Sequence, residues 1–262
     1  KKVMSNSILK GKKGIIFGAL DESSIAWITA NKIYDEGGRF VLTNTPVAIR
    51  MGNIEKLAKQ TESKLIPADA TSLEDLENLI KSALNDLGSK LDFVLHSIGM
   101  SVNVRKGKEY TDLNHDWMTK GWDISAVSFH KLMQTLFKLD AMNEWGSIVA
   151  LTYIASQRTF PNYNDMADNK AYLESIARSF GYYFGKEKKV RVNIILSDLW
   201  KIELFCLLAT ILIVQSNKVI SRKQLSEEAS ASLFHTWNPS SSRVNSNEHA
   251  RKVNIADFNF VY

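Results

Sequence analysis

Two tyrosines and a lysine stand close together in the segment TYIASQRTFPNYNDMADNK (152–170): Tyr153, Tyr163 ten residues later, and Lys170 seven residues beyond that. Phenols beside an amine can deliver a hydrogen bond or a proton to a developing oxyanion. A nearby ammonium favours the ionised phenol and lowers its pKa. The same residues also read as two half-buried tyrosines and a solvated lysine, since tyrosine usually packs and lysine is usually exposed.

The elements that must position these side chains follow an alternating pattern over the first 195 residues. Short β-branched runs at GIIFGA (14–19), FVLTN (40–44), KLIPAD (64–69), LDFVLHSIG (91–99), GSIVALTY (146–153) and VRVNII (190–195) read as strands, separated by amphipathic helical stretches. This is the pattern of an α/β fold, a Rossmann-like doubly wound parallel sheet with helices on both faces. The first helix is predicted from about Ser24 to the glycine pair Gly37 and Gly38, where glycine suits a helix end. Another follows the third strand in TSLEDLENLIKSALNDLG, with Thr71 or Ser72 as its cap and acids three residues on.

In such sheets ligands lie at the carboxyl ends of the strands, so the loops after strands one, three and four should converge on one crevice. After strand one, GALDESSIA offers Gly18 for a tight turn and Ser24 and Ile25 at a helix start, where backbone N–H groups can hold a pyrophosphate. The spacing departs from the GxGxxG fingerprint, and an ordinary strand-to-helix turn is the alternative. Asp69 and Ala70 end strand three, with Asp69 placed either to accept from an adenine amino group or to cap the next helix. Ser97, Ile98 and Gly99 end strand four, where glycine lets the backbone lie close to a ribose. Strand two ends in TNTP (43–46) and not in the acid that commonly holds the adenosine ribose of NAD. Arg50 nearby keeps a phosphorylated cofactor, NADPH, open beside NADH.

Bulk properties bound the rest. The chain has 262 residues, 45% of them hydrophobic, enough for one large α/β domain or two small ones. Its one cysteine, Cys206, excludes an intrachain disulfide, and no Cys/His cluster has metal-ligand spacing. A reducing cytoplasm fits that usage. The start, KKVMSNSILKGKK, lacks the apolar stretch and cleavage site of a secretory signal, and no export is expected. The longest uncharged apolar run, LFCLLATILIV (204–214), has eleven residues, short of the roughly 20 that span a bilayer. The net charge of +5 is spread along the chain, so no nucleic-acid binding is read from it, although it could steer an acidic carrier protein. All 13 glycines lie at or before Gly185, whereas about five would be expected in the last 77 residues at a usual frequency of roughly 7%. The expected organisation is a dinucleotide-binding and catalytic unit over 1–195 and a divergent C-terminal segment over 196–262.

In order, GALDESSIA, HSIGM, LTYIASQRTFPNYNDMADNK and VRVNI resemble the NADH-dependent enoyl-acyl-carrier-protein reductases of type II fatty-acid synthesis, within the short-chain dehydrogenase/reductase superfamily. Most of that superfamily spaces its tyrosine and lysine as Tyr-x3-Lys, whereas the enoyl reductases use Tyr-x6-Lys after an upstream tyrosine. Tyr163, Lys170 and Tyr153 have that spacing. Seven residues are nearly two helical turns, which would return both side chains to one face of a helix.

The resemblance implies that Lys170 binds the nicotinamide ribose and Tyr163 hydrogen-bonds the thioester carbonyl, with Tyr153 shaping the pocket or assisting protonation. It places Gly18, Ser24, Ile25, Asp69, Ala70, Ser97, Ile98, Gly99 and Lys170 at the dinucleotide, and Met100, Tyr153, Phe160, Pro161, Tyr163 and Met166 in the acyl pocket. It also implies an enoyl thioester on acyl carrier protein as partner, a homo-tetramer, and a cytoplasmic enzyme. Two departures stand out: Ile28 where many members have glycine, and LSDLWKIELFCLLATILIVQ after strand six in place of the usual cofactor-contacting and lid sequences. A cofactor-binding relative without turnover, a carbonyl reductase, and a tail that pairs with a partner or its own copy are the competing expectations.

Overall fold

The computed structural model describes residues 8–197 and the strand at 260–261. Strand β1 (Lys13–Phe17) alternates its side chains between two buried layers, Ile15 and Phe17 to one and Ile16 to the other. A strand covered on both faces is apolar throughout, which is why the run reads as continuous hydrophobicity. The same alternation holds in β4 (Leu91–His96) and β5 (Met142–Tyr153), where Val94 and Ile148 face one layer and Leu95 and Val149 the other.

With β2 (Arg39–Thr43), β3 (Lys64–Leu65), β6 (Arg191–Ser197) and β7 (Phe260–Val261), these strands form one sheet in the order β3-β2-β1-β4-β5-β6-β7. The first six are parallel, and β7 joins β6 antiparallel. The predicted doubly wound sheet is therefore present. The third strand is shorter than expected, although Ile66 and Ala68 continue its pairing by donating to Leu42 O (2.9 Å) and Asn44 O (3.1 Å).

Helices α1 (Ile25–Asp35), α2 (Pro46–Met51) and α3 (Ile54–Gln60) come first in the chain. Trp27 and Ile33 of α1 and Leu57 of α3 fill the layer shared with Ile16. The opposite layer is closed by α4 (Leu73–Leu87), α7 (Ser128–Lys138) and α8 (Asp165–Lys188), through Leu79, Phe129, Leu173 and Phe184. Each such fully buried side chain contributes about 1.5–3 kcal/mol by leaving water. The first helix stops ahead of Gly37 and Gly38 as predicted. The fourth is capped by Ser72, whose hydroxyl accepts from Asp75 N at 3.2 Å.

Between β4 and α7 lie a single turn, α5 (Val102–Arg105), and α6 (His115–Trp122). A π-helical segment, Asp123–Val127, runs from α6 directly into α7. Among the described residues no helix is long and apolar enough to cross a membrane. The apolar run at 204–214 and the rest of the segment 198–259 lie outside them.

Candidate active site

The sheet order reverses direction between β1 and β4, and the crevice of a doubly wound sheet opens at such a point. Gly18, directly after β1, takes φ +87°, and any Cβ there would collide with the Ser97 carbonyl just beyond β4. Ser24 is the N-cap residue of α1, but its hydroxyl is used inside the loop, donating to Asp21 O (2.8 Å) and accepting from Leu20 N (3.2 Å). Ile25 opens the helix as predicted. Asn44, at the end of β2, donates to Ala19 O (2.9 Å) and so ties the same turn to the next strand.

Asp69 does not cap α4. Its Oδ1 accepts from Thr71 N (2.9 Å) and Thr71 Oγ1 (2.8 Å), closing the turn before Ser72 takes the cap. Ala70 points into the core beside Leu76 and Leu79. Arg50 lies on α2, at a surface depression shared with Lys56 and Lys59.

Tyr153 ends β5, and Lys170 sits in the second turn of α8. The sequence expectation that Tyr163 and Lys170 share one helix face is corrected: Tyr163 lies in the turn ahead of α8, which starts only at Asp165. That turn is closed by Tyr163 N donating to Phe160 O (3.2 Å) and Met166 N donating to Tyr163 O (3.1 Å). It folds Tyr163 back onto Tyr153, with ring centroids 4.7 Å apart and planes at 50°, and Phe160 stands 5.4 Å from Tyr153 on the same aromatic group.

Lys170 is buried, which rules out the solvated reading. Its Nζ donates to Leu151 O (2.8 Å) and Ile98 O (3.3 Å), bridging the ends of β5 and β4. Burial pulls its pKa down to about 8, against an opposing pull from Glu174. Tyr163 moves the other way from the sequence expectation. Burial, with Tyr153 alongside, pushes its phenol up to about 12, because desolvation disfavours the phenolate. The phenol is thus held protonated at neutral pH, as a hydrogen-bond donor.

The residues expected around an acyl chain fall into two groups. Met100 is fixed by Ser125, whose Oγ accepts from Met100 N (2.8 Å) and donates to Met100 O (3.0 Å). Met166 is buried next to it, with Sδ 3.8 Å from the Ser125 hydroxyl. A Cβ on Gly99 would sit 3.2 Å from Met166 Cε and 3.4 Å from Lys170 Nζ, so glycine leaves the lysine head room beside an exposed stretch of backbone. Phe160 is 40% exposed above Tyr153, and Pro161 is exposed in the turn.

Several participants were not foreseen. Glu174 accepts from Thr152 Oγ1 (2.7 Å) and from Ser156 Oγ, and only its spacing of four from Lys170 on one helix hinted at it. Asp165 accepts from Ser101 Oγ (2.6 Å) and Asn103 Nδ2 (3.0 Å), tying α5 to the start of α8. His96 is buried between the rings of Phe17 and Phe129, with Nε2 3.1 Å from Ser128 Oγ. Burial and the nearby Lys170 cation push its pKa down to about 3. Among the described residues no group of His, Cys, Asp and Glu could hold a metal ion.

A crossover at β1 and β4, a strand-ending tyrosine, a half-buried tyrosine in the turn before the next helix and a buried lysine on that helix define a short-chain dehydrogenase/reductase. Residues 18–206 match the model of the family described as enoyl-(acyl carrier protein) reductase, and the chain belongs to that family. It is 33% identical over 192 residues to an enoyl-[acyl-carrier-protein] reductase [NADH] of Rhizobium meliloti, covering 72% of this chain and 69% of that one. The FabI–NADH complex of Alistipes finegoldii is 61% identical over 72% of this chain and 67% of its own, with TM-score 0.71. A second FabI structure from that organism covers 87% of this chain and 99% of its own at 46% identity and TM-score 0.76. The longer alignment carries the lower identity, so the likeness is stronger within the shorter aligned stretch.

Proposed function

We propose that the chain reduces the trans-2 double bond of an enoyl thioester carried on acyl carrier protein, in fatty-acid elongation, with NADH as cofactor. The observation that carries this reading is the buried Lys170 bridging the ends of β4 and β5, with Tyr153 at the end of β5 paired ring to ring with Tyr163, in a chain of this family. The names of its relatives specify NADH.

The site suits a dinucleotide. Gly18 lets the first turn pack against Ser97, Ser24 and Ile25 begin a helix whose N-terminus favours phosphate, and Gly99 leaves backbone open above the Lys170 head. Asp69, Ala70 and Ile98 complete the set of residues that would hold it. When bound, the reduced nicotinamide supplies a hydride to C3 of the enoyl group. Lys170 as an ammonium has three N–H donors; two are taken by Leu151 and Ile98, and the third serves the ribose hydroxyls.

Tyr163, protonated, donates to the thioester carbonyl oxygen. Negative charge grows on that oxygen in the transition state, so a donor already in place acts most strongly there. Tyr153 forms the wall behind Tyr163, and Met100, Phe160, Pro161 and Met166 take the acyl chain; flexible methionines suit chains of several lengths. The unit that does this spans 1–195, with 196–262 as a divergent segment. By family analogy the protein works as a homo-tetramer in the cytoplasm.

The test is absorbance at the NADH band when the protein meets crotonyl-coenzyme A or crotonyl carrier protein, with NADPH in parallel. Loss of the NADH signal is expected. NADH binding without turnover would favour a second reading, a cofactor-binding relative without chemistry, which the departure after β6 motivates. Turnover of 3-oxoacyl but not enoyl thioesters would make it a carbonyl reductase.

A further inference from the structure

Glu174 is 4% exposed, one helical turn beyond Lys170 on α8. Its Oε1 accepts from Thr152, the residue before Tyr153, at 2.7 Å, and from Ser156, three residues after it. One carboxylate oxygen therefore ties both flanks of Tyr153 to the helix that carries Lys170. The nearest guanidinium, on Arg178, is 4.0 Å from Oε2 and more than half exposed. Burying a carboxylate without a close ion pair is costly. A neutral amide would satisfy two hydroxyls as well, so the hydrogen bonds alone do not account for the charge.

We propose that Glu174 is a positioning residue that sets the end of β5 under Tyr153 and, by its charge, holds Lys170 in the ammonium form that keeps a third donor for the cofactor. This rests on the role proposed above for Lys170. Among the described residues, the other groups facing that lysine offer no negative charge. From β5 and the end of β4 it meets the carbonyl groups of Leu151 and Ile98, and from β4 the neutral His96. Burial pulls the lysine pKa down to about 8 and Glu174 pulls it up. Without that carboxylate the ammonium would lose its proton closer to neutral pH, leaving two N–H donors, both already engaged.

The test is NADH affinity of the full chain as a function of pH, read by protein fluorescence, which needs no turnover. In the wild type the affinity should fall above about pH 8. In E174Q, which still offers both hydroxyls a partner, the fall should begin about one pH unit lower, with affinity recovered within twofold at pH 6. E174D, which keeps the charge, should stay near the wild-type midpoint. An E174Q midpoint equal to the wild type overturns the proposal. A wild-type affinity that does not fall above pH 8 instead overturns the role given to Lys170. If E174Q does not fold, the double variant T152V/S156A decides: it should keep the wild-type midpoint while turnover drops, and a midpoint that moves with the charge still present overturns the proposal.

Discussion

A Cβ placed on Gly18 would lie 1.9 Å from the carbonyl oxygen of Ser97 and 2.7 Å from its carbonyl carbon. The ends of β1 and β4 meet there with hydrogen as the only side chain that fits, and the positive φ of Gly18 adds strain for any other residue. Gly18→Ala should separate the two strand ends. We expect a thermal midpoint lower by several degrees and at least a tenfold loss of NADH affinity, measured by melting and by fluorescence titration.

Tyr163→Phe removes a donor and leaves the ring pair with Tyr153 in place. Turnover of crotonyl thioester should fall about 10²–10³-fold, the usual cost of one donor to a developing oxyanion, with NADH affinity within twofold of wild type. Tyr153→Phe should cost less than tenfold. Equal losses for the two variants would place the donor role on both rings.

The rate should also depend on Lys170. Its pKa is lowered to about 8, so the ammonium is present below that pH and lost above it. The ratio kcat/KM should decline as pH rises through 8, and Lys170→Met should raise KM for NADH at every pH and remove that limb. The pH profile of the two proteins checks this.

His96 sets an acid limit to stability. It is buried and neutral, with a pKa near 3 against 6.5 in the unfolded chain. Between those values the unfolded state binds a proton that the native state does not, so stability falls as pH drops from about 6.5 to about 3. The slope is roughly 1.4 kcal/mol per pH unit for one proton. His96→Gln should flatten urea-unfolding stability over that window by about one proton.

The sheet was legible because parallel strands leave continuous apolar runs such as Gly14 to Phe17, and because Gly37, Gly38 and Ser72 punctuate helices. The site was legible as residue types and spacing, and its geometry was not. A count of seven says nothing about whether Tyr163 is inside α8 or in a turn before it, and the turn depends on local bonds among Phe160, Tyr163 and Met166. Likewise the direction of the Tyr163 shift depends on how far the turn buries its phenol beside Tyr153, which spacing alone does not show. Glu174 and Asp165 were hidden because a carboxylate on a helix usually faces water.

The strand order also dictates when the molecule is vulnerable during synthesis. Strand β1 lies between β2, which follows it closely, and β4, whose Phe93 is the register partner of Gly14 nearly eighty residues later. Contacts so far apart along the chain carry a loop-closure cost and form late. Until β4 emerges, β1 has one open flank of backbone N–H and C=O groups, the kind of edge that pairs with other chains. Lys170 reaches back 72 positions to Ile98 and 19 to Leu151, so the reacting groups assemble only after that edge has been closed. The hazard for a half-made chain is therefore mispairing along the open flank of β1.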